Sequence, residues 1–242
     1  MKYELNVPTN LNEITLGQYQ QYLKLPEGLT ENQVALKMVG IFCNVPDTVV
    51  RNIKAADIQT IVATLTKMFE ETPALTREFK LDGKRYGFIP NLDDMSFGEY
   101  IDIDTYLGDW DNIEKAMAVL YRPVQGKYDK LYNIEPYEAK DALHYKHMPL
   151  GVVLGSIVFF LQFRQRIVSG YDGLFTQSGN DLSTEANFGA KWGWYQSIYG
   201  LAQGDVTRFE NITKLNMHEC LYALEFMKEK NELEAKRIKR NG

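Results

Sequence analysis

Between Asn91 and Glu114 the chain carries Asp93, Asp94, Glu99, Asp102, Asp104, Asp109, Asp111 and Glu114, with no Lys or Arg among them. Carboxylates at this density are the ligand type that hard cations such as Ca²⁺ and Mg²⁺ take. Asp102-x-Asp104 opens like the calcium loop of an EF-hand. The motif then fails, because Leu107 stands where that loop needs Gly and Ile113 where it needs the closing Glu. Acids also suit helix starts, whose first turn carries partial positive charge, and Asp93, Asp94, Asp109 and Asp111 stand at such starts. The run therefore has three readings: solvated caps, a surface for a basic partner, or a metal site.

Other chemistry is sparse. His144 and His147 have the i, i+3 spacing that brings two imidazoles to one side of a helix, but two ligands beside Pro149 are a weak metal signal. GVVLGS lacks the lysine of a phosphate-binding loop, and there is neither a G-x-S-x-G elbow nor an H-E-x-x-H pair. Trp192, Trp194, Tyr195, Tyr199 and Tyr222 form an aromatic cluster. Base-stacking rings sit in basic grooves, and only Lys191 is close by, so the cluster reads as core packing or as an anchor for a protein partner. From Lys228 to Gly242 there are six basic and three acidic residues, net +3 in a chain that is −5 overall. The candidate partner-binding residues are Trp192, Trp194, Tyr195 and Tyr199, the basic Lys236, Arg237, Lys239 and Arg240, and the acidic Asp102, Asp104, Asp109 and Asp111. No residue qualifies as catalytic, cofactor-binding or metal-ligating.

Those residues need a scaffold, and 242 residues with 45% hydrophobic content can bury a sizeable core. A net charge of −5 argues against a dedicated nucleic-acid binder. Two cysteines, Cys43 and Cys220, are too few for a disulfide framework and point to synthesis in a reducing compartment. The N-terminus has no apolar signal-peptide core.

Asp82-Gly83 predicts a type I′ hairpin in which Phe79, Leu81, Tyr86 and Phe88 share one face. Capping boxes at Thr15–Gln18, Thr30–Gln33 and Ser96–Glu99 predict helix starts. Helix two runs Glu31 to about Phe42, a short helix falls within Asp47–Ala56, and Ile58, Ile61, Leu65 and Met68 mark another. The first and third boxes stand 81 residues apart, and Met38–Phe42 matches Met117–Tyr121 at an offset of 79, which suggests a duplicated helix pair. Met1–Pro8 reads as a short strand, Gly126–Ile134 as a tyrosine-rich connector, and Pro136 to about Tyr145 as a helix. Pro149–Phe163 is apolar on all sides, and Gln162, Arg164 and Arg166 close it short of a bilayer span, so it reads as a central core helix. Ser169–Gly189 reads as a long surface loop. Asp205 and Asn216 cap the last two helices, and the apolar stripe of the final one fades after Met227. The resulting expectation is a mainly α multi-helix bundle with a duplicated helix pair and one small β-hairpin. Its subdomains would be 1–75 and 76–242, joined in one continuous unit.

Tyr86-Gly87-Phe88-Ile89-Pro90-Asn91-Leu92, Phe97-Gly98-Glu99-Tyr100 and Met117–Pro123, followed by Trp194-Tyr195, Leu201-Ala202, Gly204-Asp205 and a charged terminal helix, resemble tailed-bacteriophage virion-morphogenesis proteins. The resemblance implies a non-enzymatic protein that binds other virion or tail proteins, most directly in tail assembly, either as a transient chaperone-like factor or as a structural ring or cargo component. It implies the cytoplasm of an infected host, or the virion, as location. It brings no catalytic residues and no cofactor, and neither nucleic acid nor membrane is implied as primary ligand; self-association is compatible with it. A metal-dependent enzyme using the acidic run is the alternative from another class.

Overall fold

Helix starts organise the N-terminal third. In the computed structural model, which describes residues 5–128, 131–139, 141–175 and 192–241, Thr15 Oγ1 accepts from the Gln18 N–H at 3.2 Å and Gln18 Oε1 from the Thr15 N–H at 2.9 Å. This box opens α1 (Leu16–Leu23), and Thr30 with Gln33 opens α2 (Glu31–Phe42) in the same way. A short α3 (Asp47–Val50) leads to α4 (Ala55–Phe69). Ile58, Ile61, Leu65 and Met68 on α4 lie at helical spacing and are buried with Met38, Val39 and Phe42 of α2. Each such side chain contributes roughly 1.5–3 kcal/mol by leaving water. Phe42 stands 5.3 Å from both Tyr22 and Phe69, ring centre to ring centre.

The chain packs as two compact units. Unit 1 is Met1–Phe88 with Tyr106–Phe159, and unit 2 is Ile89–Thr105 with Phe160–Gly242. The division interleaves along the sequence and does not fall at residue 75.

The predicted hairpin forms as β1 (Glu78–Leu81) and β2 (Lys84–Phe88), with Leu81 opposite Lys84 and Phe79 opposite Tyr86. Asp82 and Gly83 take φ of +48° and +79°, as a type I′ turn requires. The hairpin is not alone. β3 (Tyr121–Tyr128) pairs with β2, and β4 (Leu131–Ile134) with β3, giving a four-stranded antiparallel sheet in the order β1-β2-β3-β4. This corrects the expectation of one hairpin and of a connector at Gly126–Ile134. The helix before Pro123 stops at Leu120, and Tyr121, Arg122 and Pro123 are already part of the strand. Tyr132 closes the sheet: its Oη donates to the carbonyls of Phe88 at 2.7 Å and Arg77 at 3.2 Å. Its ring lies over Gly87, where a Cβ would sit 2.4 Å from a ring carbon, so only glycine fits there.

Two further expectations fail nearby. Residues 5–9 are irregular, not a strand, and the start of the Met1–Pro8 segment lies outside the described residues. The described part of 136–142 is also irregular, and only a 3-10 turn at Leu143–His147 follows. EPYEAKD has a single large apolar residue, Tyr137, and so lacks the stripe that would fasten a helix to the core. Tyr145 holds the turn instead, its Oη donating to the Tyr121 carbonyl at 2.7 Å.

The next helices are α5 (Phe97–Tyr106), α6 (Ile113–Leu120) and α7 (Leu150–Gly170). α7 is long and apolar enough to cross a bilayer. In unit 1 its glycine face is covered by the chain itself. A Cβ on Gly151 would lie 2.5 Å from Asn12 Oδ1, and one on Gly155 2.4 Å from the Ala74 carbonyl oxygen. Val152, Val153 and Ser156 are buried beside them.

In unit 2, α7 continues to Gly170, past the loop start that the sequence predicts at Ser169, and α8 (Asp172–Phe175) follows. Most of that predicted loop, 176–189, lies outside the described residues. Then come α9 (Trp194–Leu201), a 3-10 turn capped by Asp205, α10 (Phe209–Lys214) and α11 (Met217–Asn241). Phe97, Tyr100, Phe160, Phe163, Met217, Leu221 and Leu224 are among the buried side chains that hold this unit.

One arrangement occurs in both units. Asn10 and Asn91 each accept a backbone N–H two residues on, opening 3-10 turns at Leu11–Glu13 and Leu92–Asp94. Capping boxes at Thr15 and Ser96 follow at the same spacing. In unit 1 the Leu16 N–H donates to Met148 O at 2.9 Å and the Leu150 N–H to Ile14 O at 2.8 Å. In unit 2 the Phe97 N–H donates to Leu215 O at 2.8 Å and the Met217 N–H to Met95 O at 3.0 Å. Each unit thus fastens one helix start to another by the same pair of bonds.

Candidate interaction surface

The acidic run is largely spent within the units. In unit 2, Glu99 is buried and closes the Ser96 capping box. Asp104 accepts from Arg164 Nε at 2.5 Å and from Trp194 Nε1 at 3.0 Å. The bond to Asp104 raises the pKa of the Arg164 guanidinium. Asp93 meets His218 Nε2 at 3.1 Å, and His218 Nδ1 meets Tyr171 Oη at 2.9 Å, a chain that ties the first turn of α11 to its neighbours. Asp102 is half-buried and engaged as well.

In unit 1, Asp109 accepts from the Asp111 N–H at 2.9 Å and Asn112 Nδ2 at 2.7 Å, which lowers its pKa, and Asp111 pairs with Lys24 at 2.8 Å. Glu114 is buried, bound by Gln20 Nε2 at 2.7 Å with Lys146 at 3.5 Å. The four acids named as a partner surface are therefore divided, Asp102 and Asp104 in unit 2, Asp109 and Asp111 in unit 1. His144 and His147 go to separate partners, Tyr86 Oη at 3.2 Å and Asp82 at 3.9 Å. Among the described residues no three His, Cys, Asp or Glu side chains stand close enough to hold a metal ion.

The aromatic cluster splits into anchor and surface. Trp194 is the anchor: besides its bond to Asp104, its ring meets Phe97 and Tyr100 edge-on at 5.7 and 5.6 Å. Tyr100 lies fully buried here, and burial lifts its phenol well above the ordinary tyrosine range. Trp192, Tyr195 and Tyr199 remain exposed, and Tyr195 stacks on Tyr199 with ring centres 6.4 Å apart.

α11 carries the other part of the surface. The sequence predicts Met217, Leu221, Leu224 and Met227 as its packed face; the first three are buried, with Cys220 beside them, and Met227 is half-buried. Sequence reasoning misses a second stripe there. Tyr222, Phe226 and Leu233 lie at i, i+4 and i+11, within one side of a helix, and are 71%, 62% and 51% exposed. Residues 229–240 are exposed throughout. Lys236, Arg237 and Arg240 extend the same stripe toward the C-terminus, and with Lys239 they make no ion pair among the described residues. The signal is present in the sequence, but it overlaps the packed stripe, and only burial separates the two. The result is one exposed ribbon, aromatic near the body and cationic at its tip.

No family model, curated protein or solved structure matches this chain.

Proposed function

We propose that the protein acts by binding other proteins, and that its principal contact is the ribbon on α11 with Trp192, Tyr195 and Tyr199. In keeping with the sequence resemblance, the setting is virion morphogenesis of a tailed phage, most directly tail assembly. The observation that carries the reading is the exposed end of α11. An isolated helix of about a dozen residues is marginal in water, and residues 229–240 have no packed side chains of their own to hold them helical. A partner that covers Phe226 and Leu233 and neutralises the tip would supply what is missing. The internal engagement of Glu99, Asp104, Asp109 and Glu114 favours this reading over an enzyme built on the acidic run. The shared helix-start arrangement of the two units supports an internal duplication as well, of the capped helix start more than of the whole helix pair.

The test is deletion after Met227, followed by pull-down from infected cells and particle counts. Association and particle yield should fall while the melting temperature hardly changes, because none of the residues described over 228–240 is buried. Unchanged association and yield would refute the proposal.

A further inference from the structure

Unit 1 presents a surface whose shape and charge answer the α11 ribbon. α2 and α4 pack with their N-terminal ends together and their C-terminal ends together, since one groove is lined by Glu31, Ala35, Ala55 and Ile58 and Phe42 meets Phe69 at 5.3 Å. A second open groove, of about 500 Å³, is lined by Tyr19, Tyr22, Met38, Val62 and Phe69, with Glu31 at its rim. Both grooves share Glu31, Ala35 and Val62, so they form one trough along the helix pair. Its lining is mostly apolar, with Arg51 beside Ala55 in the first groove and Glu31 where the two grooves meet. Glu70 and Glu71 directly follow Phe69 at the C-terminal end of α4. None of these three acids makes an ion pair among the described residues, and Lys67 is the single cation in the last turn of α4.

Resting on the protein-binding reading above, we infer that the partner of the α11 ribbon is a second copy of this chain, docked head to tail in the α2–α4 trough. Three features agree. The ribbon from Tyr222 to Arg237 spans about 22 Å at 1.5 Å per residue, and α4 from Ala55 to Phe69 spans about 21 Å. Tyr222, Phe226 and Leu233 supply apolar side chains for a mostly apolar lining. The cationic tip belongs at the Glu70–Glu71 end, where the C-terminus of α4 adds its own partial negative charge. The contact joins two different surfaces, so it repeats from copy to copy. Such a contact builds a ring where the rotation closes and a filament where it does not.

Charge-swapped variants test this. At about 100 µM, well above a micromolar dissociation constant, the full chain should sediment as assemblies larger than a monomer. A tip variant, Lys236→Glu/Arg237→Glu/Arg240→Glu, and a trough variant, Glu31→Lys/Glu70→Lys/Glu71→Lys, should each associate at least about tenfold more weakly, because like charges then face each other. Mixing the two restores opposite charges at every contact, and the mixture should recover the large species. Recovery on mixing is something that misfolding of either variant cannot produce. A full chain that stays monomeric at this concentration, or variants that do not recover together, would overturn the inference. If self-association fails while deletion after Met227 still abolishes capture of a partner from infected cells, the inference falls and the protein-binding reading stands.

Discussion

Gly155 offers the sharpest check of how α7 is packed. A helix-interior Gly→Ala change ordinarily stabilises by about 1 kcal/mol, since alanine has the higher helix propensity. At Gly155 the added Cβ would land 2.4 Å from the Ala74 carbonyl oxygen, 2.9 Å from its carbon and 3.2 Å from the Pro73 oxygen. All three are backbone atoms, so no side chain can swing aside. Overpacking of this kind costs about 1–3 kcal/mol, toward the upper end where backbone must move. Set against the propensity gain, Gly155→Ala should lose about 2 kcal/mol. At Gly170, the end of the same helix, an added Cβ would meet nothing within 4 Å. Gly170→Ala should therefore gain about 0.5–1 kcal/mol. For a chain of this size a kilocalorie moves Tm by about 2–4 °C. Thermal unfolding followed by circular dichroism should show Gly155→Ala about 4–8 °C below the parent and Gly170→Ala about 1–4 °C above it. A Gly155→Ala protein melting at or above the parent temperature would refute the close approach of residues 73–74 to α7.

Alkaline titration gives a second check. Burial lifts the phenols of Tyr100, Tyr121 and Tyr145 well above the ordinary range. A group whose folded pKa is raised contributes stability that is complete below its unfolded value, here about 10, and lost as pH rises through the folded value. Absorbance at about 295 nm should therefore show three of the fifteen tyrosines ionising only as the protein unfolds; a single step near pH 10 with the fold intact would contradict it. The capping boxes give a third: Thr15→Ala and Ser96→Ala should each lose about 1 kcal/mol in urea unfolding. A loss at one site and none at the other would mean that the two boxes are alike in geometry but not in energetics.

What the sequence discloses are the features made within four residues. Thr15, Thr30 and Ser96 bond their own first turns, and Asp82-Gly83 needs only its two positive φ angles. β3 is hidden because its partner is distant, with Tyr86 facing Pro123. β4 is local to β3, Tyr128 standing opposite Leu131, but no Asn-Gly or Asp-Gly pair lies between them in the sequence and the register shifts between Val124 and Gly126. Pro123 also misleads, since a residue that stops a helix is equally able to sit near the start of a strand. The acidic run is legible where acids serve their own turn, as Glu99 and Asp109 do. It is not legible at Asp104, whose partner Arg164 lies sixty residues on. On α11 the packed stripe conceals the exposed one, because helical spacing shows that a face is apolar but not which face meets the body.

The two fastened helix starts bear on how such a chain folds into interleaved units. Each fastening joins segments far apart in sequence, Ile14–Leu16 with Met148–Leu150 and Met95–Phe97 with Leu215–Met217. In both, the residue two beyond the cap is glycine, and in both its missing side chain makes room for a carbonyl three residues before the partner's bridge. Gly17 would place a Cβ 3.2 Å from Lys146 O, and Gly98 one 3.1 Å from Thr213 O. The agreement extends to the preceding asparagine-capped 3-10 turns, at one constant offset: 91 − 10, 96 − 15 and 98 − 17 are all 81. Capping chemistry alone explains a serine or threonine followed three residues later by an acid or amide. It does not explain a glycine at the same place, nor a second helix start bonded to the first on both sides. Those two features need a neighbouring chain at the same distance in each unit, and that requirement is what separates a repeated tertiary arrangement from a coincidence of local signals.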